Sequence, residues 1–89
     1  MKTIFKYEIP DKGANAVKMP KNHIVLTAQC QYGTVKIWAI VDSDDENYRE
    51  VTFHVIGTGK PIPENVKLNY VATILTFAGS EVNHLFEEV

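Results

Sequence analysis

The 89-residue chain predicts an all-β fold: a single domain over residues 1–89, with six to seven antiparallel strands in a meander that closes into a small sandwich or open barrel. Three observations lead there. Short segments alternate apolar and polar residues with the period of two that a half-buried strand requires. Clusters of Gly, Pro, Asn, Asp and Ser separate these segments at short intervals. No stretch carries apolar residues at helical spacing, and no repeat or low-complexity segment breaks the pattern.

Thr3 to Ile9 alternates, with Phe5, Tyr7 and Ile9 on one face, and Pro10-Asp11-Lys12-Gly13 ends it as a turn. Ala14 to Met19 forms a short second strand closed by Pro20. His23 to Gln31 places Ile24, Leu26, Ala28 and Cys30 on one side. Tyr32-Gly33 makes a two-residue hairpin loop, and Thr34 to Val41 returns. With Gln31 opposite Thr34, the expected pairs are Cys30 with Val35, Ala28 with Ile37, Leu26 with Ala39 and Ile24 with Val41, all on one apolar face. Asp42 to Asn47 is a solvated acidic hairpin loop. It lacks the glycine and the bidentate Glu of a calcium loop. Arg49 to Ile56 continues the sheet, with Val51, Phe53 and Val55 in the core.

Pro61 and Pro63 interrupt pairing after a glycine loop. Leu68 to Phe77 resumes as a strand, Ala78-Gly79-Ser80 turns, and Glu81 to Glu88 pairs back. In this last hairpin Val71, Thr73, Leu75, Phe77, Val82, His84 and Phe86 share one face, and Tyr70, Ala72, Ile74 and Leu85 the other. A second face of the main sheet, with Val25, Thr27, Gln29, Lys36, Trp38, Ile40, Thr52, His54 and Ile56, is too apolar for plain solvent. A second sheet or a symmetry-related chain should cover it, so a homo-oligomer is expected.

Charge is mixed, with a net value of −2 and no basic cluster, which argues against nucleic acid as a partner. The single cysteine, Cys30, allows no internal disulfide and points to a reducing cytoplasm. No apolar run reaches the roughly 20 residues of a membrane helix, and Met1 to Lys6 mixes charge too early for a signal peptide.

The best site candidate is Gly57-Thr58-Gly59-Lys60, where a nest of backbone N–H groups, a hydroxyl and an ammonium could meet a phosphate. Pro61 after Lys60 rules out a P-loop, which must open a helix. Trp38 or Tyr70 could stack on a planar ligand, with Lys36 and His54 near Trp38 across the strands. His23, His54, His84 and Cys30 share no ligand spacing, so neither a metal nor a cofactor is expected. His84 is expected as a core histidine bonded near Thr73. There is no nucleophile elbow and no carboxylate pair in an apolar setting, so no enzyme activity is expected.

Met1 to Ile9, Ile37 to Asp42, Gly57 to Pro63, Tyr70 to Thr73 and His84 to Glu87 together resemble, in order and over nearly the whole chain, a family of short uncharacterised phage and prophage proteins. The resemblance implies a phage or prophage origin, a setting in the cytoplasm of a bacterial host, and no particular activity. The function expected on this footing is non-catalytic binding. One form is sequestration of a small phosphorylated ligand, such as a nucleotide immune signal, as an anti-defence device. The alternative is a protein–protein interaction module that docks an apolar sheet face on a host or phage protein.

Overall fold

Alternation of apolar and polar residues along seven segments produces seven strands: β1 (Lys2–Ile9), β2 (Gly13–Pro20), β3 (His23–Gln31), β4 (Thr34–Asp42), β5 (Tyr48–Gly57), β6 (Leu68–Thr76) and β7 (Glu81–Glu88). A computed structural model of the protein describes residues 1–76 and 79–89, so the expected extension of β6 to Phe77 and the start of its turn at Ala78 lie outside the described residues. All pairings are antiparallel, and they build two sheets: β1-β4-β3 and β2-β5-β7-β6. The sheets face each other as a small sandwich and do not close into a barrel. Phe53, Ile9, Met19, Ile37 and Leu85 fill the space between them and are wholly buried.

The connectivity departs from a plain meander. Only β3–β4 and β6–β7 are adjacent hairpins; β1 pairs with β4, and β7 lies between β5 and β6. The acidic segment after β4 therefore crosses between sheets and does not form a hairpin within one. Its carboxylates turn the chain: the amide of Asp44 donates to Asp42 Oδ1 at 3.0 Å and that of Asn47 to Asp45 Oδ1 at 2.9 Å, the local bonds that make Asp a turn residue. As the middle of the second sheet, β5 is buried on both sides. Val51, Phe53 and Val55 face the core, while His54 (7% exposed) and Ile56 (8%) are covered on the outer side.

Tyr32 (φ 53°) and Gly33 (φ 79°) both take positive φ, the backbone of a type I′ turn. Cys30 therefore pairs with Val35 and Ala28 with Ile37, as the alternation predicts. Beyond them a β-bulge between Val25 and Thr27 shifts the register, so that Val25 meets Ala39, Ile24 meets Ile40 and His23 meets Val41. This corrects the expected Leu26–Ala39 and Ile24–Val41 pairs. Leu26 (45% exposed) and Ile24 (59%) point outward, and Val25 packs on the core. The extra residue has a structural use: Ala28 and His23 are an odd number of residues apart, and only a bulge lets both face inward. His23 Nδ1–H then donates to Pro20 O (2.8 Å) and Nε2 meets Glu87 Oε2 (2.8 Å), joining the two sheets. A second shift, between Tyr70 and Ala72, likewise overturns the expected faces of β6: Tyr70 joins Thr73 and Leu75 outside, and Val71 packs with Ala72 against the core.

Candidate ligand cleft

At the end of β5 the chain makes a tight turn over Gly57-Thr58-Gly59-Lys60. The Lys60 amide donates to Gly57 O at 3.0 Å, and Gly59 has φ +85°, the value a type II turn needs at its third residue. Gly57 sits close to its neighbours: a Cβ there would lie 3.4 Å from Lys60 Cγ and 3.6 Å from Asn83 Oδ1. The Thr58 amide donates to Val82 O at 3.2 Å, which ties the turn to β7. Pro61 and Pro63 follow directly, fixing φ and removing two backbone donors.

A cleft of about 880 Å³ opens between this loop, the β1–β2 turn and the start of β7. Ala14, Ile56, Pro61, Pro63 and Val82 supply most of its apolar wall; Lys12, His54, Thr58, Lys60, Glu81 and Asn83 supply its polar groups. Lys12 is ion-paired to Glu81 Oε1, which also accepts from Asn83 Nδ2 at 3.2 Å. The Lys12 ammonium, with the Asn83 amide beside it, holds the Glu81 carboxyl below its usual range. His54 Nε2 meets Glu88 Oε1 at 2.9 Å. Among the described residues the Lys60 ammonium has no hydrogen bond or ion pair, which leaves it as the unspent charge of the cleft.

A chain of hydrogen bonds leads away from the cleft along the outer face of this sheet. Thr58 Oγ1 is 2.8 Å from His84 Nε2, His84 Nδ1 is 3.1 Å from Thr73 Oγ1, and Thr73 Oγ1 is 2.8 Å from Tyr70 OH. Tyr70 also packs edge-on against Phe86, with ring centroids 5.8 Å apart. The expected Thr73–His84 bond is therefore present, but the imidazole lies on the outer face and not in the core.

Of the residues the sequence singles out, His54, Gly57, Thr58 and Lys60 line the cleft. Gly59 forms the turn beside them, and Tyr70 stands at the far end of the hydrogen-bonded chain. Lys36 and Trp38 are not brought to the loop. They lie on β4 in the other sheet, facing away from the core, and β4 does not pair with the strand that carries His54. Of the loop amides, those of Thr58 and Lys60 are bonded within the protein, which leaves the Gly59 N–H and the side chains to meet an anion. Lys12, Glu81, Asn83 and His84 were not singled out for this site, because their approach depends on β2 and β7 flanking β5. Among the described residues no group of three His, Cys, Asp or Glu side chains could hold a metal ion, and no helix is long and apolar enough to cross a membrane.

Fold and cleft together define a small two-sheet β-sandwich with a loop-walled pocket on one outer face. The chain belongs to the family described as a domain of unknown function, DUF7352, whose model matches residues 1–89. No curated protein and no solved structure matches it.

Proposed function

We propose that the protein is a non-catalytic binder that captures a small organic anion in the cleft beneath the Gly57–Lys60 turn. The observation that carries this reading is the unpaired Lys60 ammonium at an otherwise largely apolar cleft. Small-molecule sites are of this kind: mostly apolar walls with a few placed polar groups that orient the ligand. A phosphorylated ligand with a planar body, such as a nucleotide, matches both parts. In the phage or prophage setting that the sequence resemblance implies, holding such a molecule removes a signal from the host's defence.

The hydroxyl–imidazole pair of Thr58 and His84 supports a non-catalytic role. The second imidazole nitrogen meets the Thr73 hydroxyl and not a carboxylate, so no anion stands ready to stabilise an imidazolium.

Calorimetry against a panel of mono-, di- and cyclic nucleotides tests the reading. Heat with wild type that disappears in Lys60→Glu is the expected result. No heat with any of them, together with stoichiometric recovery of a host or phage protein that is lost in Trp38→Ala, would favour the interaction module instead.

A further inference from the structure

The sandwich has four edge strands, which differ in how regular an edge they offer to another chain. β3 and β6 each carry a bulge and lie against one another across the two sheets, closing that side. β2 begins at Gly13 and ends at Pro20. β1, like β2, pairs along all eight of its residues in unbroken register, here with β4, but from Lys2 to Ile9 it carries no Gly or Pro. Long regular edges of this kind are templates for pairing with another chain.

The direction of the free backbone groups follows from the ladder. The amide of Ser43 donates to Met1 O at 2.9 Å, which places the odd residues of β1 in its hydrogen-bonded pairs with β4. The N–H and C=O groups of Lys2, Ile4, Lys6 and Glu8 therefore point off the sheet, unpaired within the chain. Phe5 is also incompletely covered: it faces the same side as Ala39, which is wholly buried, yet remains 39% exposed.

We infer that β1 pairs antiparallel with β1 of a second copy of this chain about a two-fold axis at Phe5, joining two three-stranded sheets into one of six. Charge selects the partner and the register. With Phe5 on the axis, Lys2 stands opposite the second copy's Glu8, and Glu8 opposite its Lys2. Ile4 then lies against the aliphatic stem of Lys6, and the two Phe5 rings meet. A shift to put Ile4 on the axis sets Lys2 opposite Lys6. A shift to put Lys6 there sets two ammonium groups together and buries Glu8 against Ile4. In the Phe5-centred register every free N–H and C=O of the edge from Lys2 to Glu8 finds a partner, and Phe5 meets its mate at a non-hydrogen-bonded position, with Cα atoms about 4.5 Å apart. The pairing is independent of the ligand reading and uses none of the cleft residues.

Sedimentation of the full chain tests it. Wild type should sediment with twice the chain mass. Lys2→Glu and Glu8→Lys should each give the single-chain mass, and the combined Lys2→Glu/Glu8→Lys chain should recover the doubled mass. Glu8 also contacts Lys36 at 3.3 Å, so Glu8→Lys could disturb the single chain by itself. An axis cross-link covers that case: in a Cys30→Ser background, Phe5→Cys should form a disulfide between copies on mild oxidation, and Lys6→Cys should not. A single-chain wild type, a doubled mass that survives both single reversals, failure of the combined variant to recover it, or no cross-link through position 5 would each overturn the inference.

Discussion

His23, at the start of β3 in one sheet, holds Glu87 of β7 in the other through a 2.8 Å contact between Nε2 and Oε2, and both side chains are largely withdrawn from water. The pair links the two layers by hydrogen bonding, beside the bond from His23 Nδ1 to Pro20 O of β2 and the apolar packing between the sheets. His23→Ala leaves the Glu87 carboxylate in place without its partner, a loss expected to cost about 1.5–3 kcal/mol for a bond to a charged group. Urea denaturation should show a lower midpoint with an unchanged slope. An unshifted midpoint would mean the contact adds nothing to the stability of the sandwich.

The bulge in β3 assigns opposite burdens to neighbouring residues. Val25→Ala removes packing from the core and should destabilise by about 1 kcal/mol. Leu26→Thr changes an outward residue and should stay within about 0.5 kcal/mol of wild type. The regular ladder read from alternation predicts the reverse order, so thermal unfolding of the two variants separates the two registers.

That contrast also marks what was legible in the sequence. The tip of the β3–β4 hairpin could be read because Tyr32-Gly33 fixes its register, and a period of two carries that register outward. It could not be read past Leu26, since a bulge inserts one residue without changing composition, and the Glu87 that His23 meets beyond it lies far along the chain. The assignment of strands to sheets was hidden for a similar reason: β5 is apolar on both sides, which suits a hairpin with β4 as well as the centre of another sheet. In the cleft, the turn at Gly57–Lys60 was visible as glycines and prolines ending a strand. Its wall was not, because Lys12 and Glu81 approach it only through the pairing of β2 and β7 with β5. Trp38 and Lys36 were grouped with it because β4 and β5 read as one sheet.

Gly59 holds φ +85° at the turn beside Lys60. Gly59→Ala forces a side-chain-bearing residue into the left-handed region and should lower stability by about 1 kcal/mol. It should also weaken ligand binding, by moving the Lys60 ammonium. Chemical denaturation and calorimetry on the same variant read the two effects separately.

The Glu81 carboxyl is held below its ordinary range first by Lys12 and then by the Asn83 amide. A carboxyl lowered in the folded state contributes stability that is present above its unfolded pKa and is lost as pH falls through the folded one. Lys12→Met should therefore raise the Glu81 titration midpoint toward that of a free carboxyl and remove this part of the acid sensitivity. Carboxyl-carbon NMR titration of the two proteins measures the shift, and identical midpoints would refute the role of Lys12.

Amide NMR during titration with a nucleotide panel locates directly where a ligand sits. With a ligand that binds, resonances of Gly57, Thr58, Gly59, Lys60, Val82 and Asn83 should move, those of Lys36 to Ile40 on the opposite sheet should stay, and Lys60→Glu should abolish the movement. Shifts centred on Trp38, or shifts at the turn that persist in Lys60→Glu, would contradict a ligand held in the cleft by Lys60.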